Sequence, residues 1–353
     1  MTISCDLPIR IAAVGLGWVC LNRHVKAMRR ERRLRLVGVI DRRLDRAKRV
    51  AVQLGVPCHA EADSLKGLSW LGQVDAVSIA ASPQSHYPLI KDALELGKHV
   101  LTEKPFVMTV AQAQELAQLA ADRKRVLAVV HNFQFASSTM RLQRDLKRGA
   151  LGEIRSISAV QGSNSERRLP EWHEQLPLGL FYDESPHLLY LLRKFGGKNL
   201  RLEQVSILSQ PNGARTPALL SAHFTGNTED REIPMSLDIN FATSLSEWYF
   251  MVHGSRASGI VDLFRDIYMR LPNDREHSTA TVFRTSVFAT AQHWMQHVTS
   301  GLRHLSGSLL YGNDVVFRRF ATAICDGVEP DGIGVSDALA VTRLQHAIIS
   351  SNQ

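Results

Sequence analysis

The sequence predicts an α/β fold: an N-terminal doubly wound parallel sheet, then an α+β domain with a largely antiparallel sheet. Three observations carry this reading. Short apolar runs alternate with amphipathic stretches from Ile9 to Val130, the mark of repeated βαβ units. Beyond that point several consecutive segments alternate apolar and polar residues, as strands with one covered face do. The 353 residues also exceed what one hydrophobic core usually supports.

In the first domain, strands are expected at Ile9 to Val14, Leu34 to Ile40, Ala76 to Ala80, His99 to Leu101 and Val126 to Val130. Helical spacing marks Asp45 to Leu54, His86 to Leu96 and Val110 to Asp122, with Gly55 and Gly97 as C-terminal stops. The alternating segments are Gly152 to Gly162, Leu202 to Leu208, Ala218 to Phe224, Ile233 to Phe241 and Glu247 to His253. Helical patterns return at Ser138 to Arg148, His187 to Phe195, Val315 to Cys325 and Asp337 to Ile349. Residues 1–130 and 131–353 are thus expected as the two domains, closely packed with a cleft between them.

Composition narrows the class. Hydrophobic residues make up 44% and charged residues 22%, as in soluble globular proteins. The longest nearly apolar stretch, Ile11 to Leu21, is too short to cross a bilayer. Met1 to Arg10 lacks the plan of a signal peptide, so a cytoplasmic location is expected. Cys5, Cys20, Cys58 and Cys325 form no Cys-x-x-Cys pair, which suggests four thiols and no metal site. The net charge of +8 and the cluster from Arg23 to Arg35 raise a nucleic-acid reading. That cluster lacks interleaved aromatics for base stacking, and a solvated basic face is expected instead.

After the first strand stands Gly15-Leu16-Gly17-Trp18-Val19-Cys20, a G-x-G-x-x-G pattern with cysteine at its third glycine. In a Rossmann dinucleotide site the first glycine permits the tight turn. The second lets the backbone approach a pyrophosphate at the N-terminus of the next helix, and the third position needs only a small side chain. Asp41, at the end of the second strand, falls where an acid reads the adenosine ribose. A carboxylate there favours NAD, whereas Arg42 and Arg43 can pair with the 2′-phosphate of NADP. NAD is the expected cofactor and NADP the alternative.

Ser82-Pro83-Gln84-Ser85-His86, followed by Gly97-Lys98-His99-Val100-Leu101-Thr102-Glu103-Lys104-Pro105, resembles the glucose–fructose oxidoreductase/inositol dehydrogenase (Gfo/Idh/MocA) family. The resemblance implies a Rossmann domain followed by a largely antiparallel α/β domain. It places Lys104 beside the nicotinamide and the reacting hydroxyl, Glu103 near the nicotinamide ribose, and Ser82, Pro83 and His86 along the cofactor's path. An ammonium at Lys104 would stabilise a developing alkoxide. Gly179-Leu180-Phe181-Tyr182-Asp183-Glu184-Ser185-Pro186-His187 is similar to the family's G-x-x-x-D-x-x-x-H element, with Asp183 and His187 at its functional positions. Ser185 as N-cap and Pro186 as first helical residue would put His187 in the opening turn of a helix. There the helix dipole disfavours imidazolium, as suits a general base. Two departures stand out: Tyr190 where the family often has aspartate, and Gln134 where it often has arginine.

The expected reaction is hydride transfer between nicotinamide and a carbinol or keto carbon of a sugar, polyol or sugar derivative. His187 takes the proton, Lys104 steadies the alkoxide and Asp183 positions both. Arg167, Arg168, Trp172 and His173, in the loop before this element, allow two readings: contacts to an acidic substrate group, or surface residues without a ligand. Alternatives are NAD-dependent redox cleavage of a glycoside and a non-catalytic dinucleotide sensor. Family analogy suggests a homodimer or homotetramer using the C-terminal sheet.

Overall fold

A computed structural model describes residues 7–167, 169–228, 231–275 and 277–351. The chain divides into two compact units. Met1–Asn132 with Asn313–His346 forms the first, and Phe133–Gly312 with Ala347–Gln353 the second. The first unit therefore regains a C-terminal segment, where a single boundary near residue 130 was expected.

In the first unit, β1 (Ile9–Val14), α1 (Val25–Arg30), β2 (Leu34–Asp41), α2 (Leu44–Leu54), β3 (Cys58–Glu61), β4 (Ala76–Ile79), α3 (Pro83–Glu95), β5 (His99–Thr102), α4 (Val110–Asp122) and β6 (Leu127–Val129) follow in order. The six strands form one sheet in the order β3-β2-β1-β4-β5-β6, every pair parallel. β4 and β5 are buried at every position, as strands covered on both faces must be. Strand order reverses between β1 and β4, and a ligand crevice opens at the carboxyl ends of such a switch point. Gly55 (φ +65°) and Gly97 (φ +71°) follow α2 and α3 in left-handed conformations.

In the second unit, α5 (Ser137–Lys147), β7 (Ile154–Asn164), α6 (Leu180–Gly196), β8 (Arg201–Leu208), β9 (Leu219–Thr228), β10 (Arg231–Thr243), β11 (Glu247–Gly254), β12 (Ala257–Asp262), β13 (Ile267–Pro272) and α7 (Thr279–Leu305) follow. Seven strands lie in the order β13-β12-β11-β7-β10-β9-β8, antiparallel except for the parallel pair β7 and β10. Ser138 fastens α5 to the turn before β13, its N–H and hydroxyl both donating to Asp266 Oδ1 at 2.8 and 2.6 Å.

The last helices are α8 (Asn313–Asp326) and α9 (Val335–Ser350). Arg33 anchors α8 within the first unit, donating to Thr322 Oγ1 at 2.9 Å and the Arg318 carbonyl at 3.2 Å. This use of one member of the basic cluster was not legible from its charge. Cys20 and Cys58 are free, whereas Cys325 is disulfide-bonded, which corrects the expectation of four thiols.

Candidate functional site

The first unit presents a dinucleotide turn. Gly15 has φ +80°, and a Cβ there would lie 2.7 Å from the Ala81 nitrogen and 2.8 Å from the Ala80 carbonyl oxygen. Only glycine tolerates both that conformation and that approach. A Cβ on Gly17 would meet nothing within 4 Å, so this glycine answers no packing need of the chain and leaves backbone open to a ligand. The turn is fixed from the next strand: Leu16 N–H donates to Asp41 Oδ2 at 2.8 Å, and Arg43 N–H to Oδ1 at 3.0 Å. Arg46 Nη1 stands 3.4 Å from the same carboxylate. Arg42 is exposed.

Helix begins at Trp18, passes through a π-helical turn at Cys20–His24 and continues as α1. Trp18 is 64% exposed, with the Arg23 guanidinium 5.0 Å from its ring centre, and Val19 is also exposed. Cys20 is fully buried. Burial, reinforced by the charges of Asp41 and Glu103, pushes its thiol up to about 12, so it packs as a neutral small side chain at the third-glycine position.

Glu103 and Lys104 lie just past β5, at the sheet's carboxyl edge. Burial would raise the Glu103 carboxyl, but the hydrogen bond and charge of His24, with the Lys104 charge and N–H, hold it below the usual range. His24 Nε2 lies 2.8 Å from Glu103 Oε1 and its Nδ1 2.8 Å from Ser78 Oγ. An ionised carboxylate only accepts, so Nε2 donates its proton to Glu103. Lys104 N–H donates to Glu103 Oε2 at 3.1 Å, which ties the residue's backbone to the same carboxylate.

Ser82 precedes α3 in extended backbone, with Pro83 as the first helical residue. His86 is fully buried, its Nδ1 2.8 Å from the Pro105 carbonyl and its Nε2 3.1 Å from that of Ala81. Burial lowers its pKa against the pull of those carbonyls. The ring therefore joins the loops that follow β4 and β5 from inside the wall.

The second unit supplies α6. Its start corrects one expectation: the helix begins at Leu180, Pro186 lies inside it, and His187 sits about two turns in. The helix-end dipole therefore does not act on His187. The physical reason lies at Gly179, with φ +53°, where a Cβ would fall 2.8 Å from the Thr216 nitrogen. Thr216 Oγ1 accepts from Leu180 N–H at 3.0 Å, so a hydroxyl from a distant loop takes up a first-turn donor.

His187 is 8% exposed. Its Nδ1 lies 3.0 Å from Tyr190 Oη, which accepts from Phe133 N–H at 2.9 Å. The imidazole packs edge-on to Phe133 at 4.8 Å and against Trp248 at 5.4 Å between ring centres. Asp183, one turn earlier, is partly exposed. Glu184 beside it is buried and receives Gln161 Nε2 at 2.5 Å, Ser163 Oγ at 3.2 Å and the Arg167 guanidinium. Arg167 thus neutralises a carboxylate of its own unit. Trp172 is half-buried in the short turn Glu171–Gln175, and Arg168 lies outside the described residues.

Sequence reasoning missed His24, Glu184, Phe133 and Trp248. Tyr190 was visible as a departure, and its spacing of three from His187 was the signal that the two side chains meet. No His, Cys, Asp and Glu group among the described residues is placed to hold a metal ion. No helix of the described residues is long and apolar enough to cross a membrane.

Residues 9–131 match the family model GFO_IDH_MocA, described as an oxidoreductase family with an NAD-binding Rossmann fold. The uncharacterised oxidoreductase YdgJ of Escherichia coli is 41% identical over 122 residues, 33% of this chain and 34% of that protein. The D-glucoside 3-dehydrogenase of Escherichia coli is 34% identical over 148 residues, 42% of this chain and 41% of that protein. The chain thus spans between a third and about two-fifths of the length of these relatives. In fold it is similar to a 3-ketoreductase from Actinomadura kijaniata in complex with TDP-benzene and NADP. That likeness has a TM-score of 0.73 at 20% identity and covers 97% of each chain. The glycine turn, Asp41 and the Glu103-Lys104 pair all lie within residues 9–131, the stretch over which the chain is similar to the Gfo/Idh/MocA oxidoreductase family and its NAD-binding Rossmann fold.

Proposed function

We propose that this chain is an NAD(P)-dependent oxidoreductase acting between the carbinol and keto forms of a sugar, polyol or sugar derivative. The observation that carries the reading is the alignment, on the carboxyl edge of one parallel sheet, of a turn only glycine can make, an acid at the second strand's end and a lysine after the fifth. A bound nicotinamide supplies the hydride chemistry, and the chain's own residues orient and manage charge. Gly15 and Gly17 hold the backbone where a pyrophosphate can sit, and Asp41 offers its remaining lone pairs to ribose hydroxyls. Its negative charge supports NAD over NADP, while Arg42 marks the side from which a 2′-phosphate would be read.

Lys104 stabilises negative charge on the substrate oxygen, with Glu103 and His24 fixing its backbone. His187 accepts the hydroxyl proton during oxidation. In the tautomer suited to that task, Nδ1–H donates to Tyr190 Oη, which already accepts from Phe133 N–H, so Nε2 is the basic atom. Asp183, on the same face one turn away, binds a substrate hydroxyl. Arg167 and Trp172 border this region, with Arg167 engaged by Glu184 rather than offered whole to an acidic substrate.

Titration of the purified chain with NAD and NADP, followed by a screen of sugars and sugar nucleotides for change in nicotinamide absorbance, tests the proposal. About tenfold or greater preference for NAD is expected, as one lost or repulsive charge contact is worth on the order of 1.4 kcal/mol or more. Absence of dinucleotide binding would overturn the reading.

A further inference from the structure

Helix α7 is 27 residues long, and none of its residues is buried. It is held to the sheet by an unusual edge clamp. Gln296 accepts from Tyr268 N–H at 2.9 Å and donates back to the Tyr268 carbonyl. One turn earlier, Gln292 accepts from Arg270 N–H at 3.0 Å and donates to the Arg270 carbonyl at 3.1 Å. The two amides thereby complete the outer edge of β13, whose unpaired N–H and C=O groups would otherwise invite another strand.

This clamp uses the polar face of α7 and leaves the opposite face bare. Nine large apolar side chains on the helix are between 45% and 86% exposed. At ordinary side-chain areas they present on the order of 800 Å² of apolar surface, above the roughly 300–600 Å² patch of a typical monomer and near the about 800 Å² per partner of a standard interface. The helix carries Arg284 and Arg303 but no acidic residue, so little charge keeps this face in water.

We infer that the bare face of α7 is the contact with a second copy of this chain, the two helices packing antiparallel about a two-fold axis between Trp294 and Met295. The order of side chains supports that occupant. About such an axis Val287 meets Leu302, Ala291 meets Val298, and Phe288 meets Gly301, so large residues fall against smaller ones on both sides. Antiparallel packing also sets each helix's positive end beside the other's negative end and keeps the two Arg284 side chains at opposite ends. A lipid surface fits less well, because helices that lie on membranes turn a basic polar face toward headgroups, and this helix has spent its polar face on β13.

The test is the mass of the full chain in solution, by light scattering or sedimentation. A mass of at least two chains is expected for the natural sequence, falling twofold in Trp294→Glu combined with Leu302→Glu. Cross-linking of single-cysteine additions by a short bismaleimide gives a second readout in otherwise natural protein. Trp294→Cys lies at the axis and should yield covalent dimer above the background of the unaltered chain. Phe283→Cys should not, since its two copies would stand roughly 34 Å apart at 1.5 Å per residue. A single-chain mass for the natural sequence, an unchanged mass in the double variant, or equal cross-linking at both positions would overturn the inference. Binding of a monomer to lipid vesicles would overturn it in favour of a membrane surface.

Discussion

The two helices that carry the candidate site start by different devices. In the first unit a donor at the glycine turn, Leu16 N–H, is taken by the carboxylate of Asp41 at the end of the neighbouring strand. In the second unit the corresponding donor, Leu180 N–H, is taken by the hydroxyl of Thr216, from the loop between β8 and β9, 36 positions along the chain. Both starts need a glycine, because a Cβ on Gly15 would strike the backbone of Ala80 and Ala81 after β4, and one on Gly179 would strike Thr216 itself. The first device is written into a short motif, whereas the second exists only once the sheet has folded. Ligand-reading geometry that depends on adjacent strands is thus encoded locally, and geometry that depends on a returning loop is not.

The sharpest way to break this comparison is to fill each glycine. Gly15→Ala and Gly179→Ala should each cost roughly 3 kcal/mol or more where backbone must move. Their functional signatures should separate. Gly15→Ala is expected to weaken NAD binding at least about 100-fold, read by fluorescence titration, through roughly 2.7 kcal/mol of lost contacts. Gly179→Ala should leave NAD affinity near that of the natural chain and lower kcat.

Acid should also distinguish the units. His86, His99 and His346, whose pKa values burial lowers, all belong to the first unit. His99 is brought down to about 4, with the charge of Arg125 adding to burial. Its Nδ1 accepts from Val126 N–H at 3.0 Å, a bond that only the unprotonated nitrogen can make. A histidine with a lowered folded pKa binds fewer protons folded than unfolded. Stability is therefore full above about 6.5 and is lost as pH falls toward about 4, by up to about 3 kcal/mol from His99. Hydrogen exchange at pH values across this window should show the first unit opening before the second, and His99→Gln should flatten the pH dependence.

The caps themselves give smaller effects. Asp41→Ala should reduce NAD affinity by about 10- to 100-fold and shift preference toward NADP, through roughly 1–3 kcal/mol. Thr216→Val should cost about 1–2 kcal/mol of stability without altering NAD affinity. Smallest is Tyr190→Phe, expected to lower kcat about tenfold, roughly 1.4 kcal/mol, with little change in KM, since it removes the group that orients the His187 ring.

What was legible follows the same division. Strand β1 and helix α4 were placed at their observed bounds, because a buried parallel strand and an amphipathic helix each carry their period in the chain. The roles of Gly15 and Asp41 were readable because a dinucleotide turn requires fixed spacing. The start of α6 was misplaced because Ser185-Pro186 has the local chemistry of a helix opening, and Gly179 with Thr216 overrides it through tertiary contact. Helix α7 went unnoticed because apolar residues crowd the face turned away from its sheet, which blurs the usual pattern. The bond from His24 to Glu103 joins residues 79 positions apart and leaves no trace in spacing.

The proposed function rests on Lys104 as the charge-stabilising group and His187 as the proton acceptor. Its most direct measurement is the single-turnover rate of NAD-dependent oxidation of a sugar substrate identified in the screen, comparing the natural chain with Lys104→Met, His187→Ala and the double variant, with NAD affinity measured alongside. The account predicts that each single variant loses about 100-fold or more in rate while keeping NAD affinity within about threefold, and that the double variant is little worse than either single one. Natural-rate turnover in either single variant would contradict it.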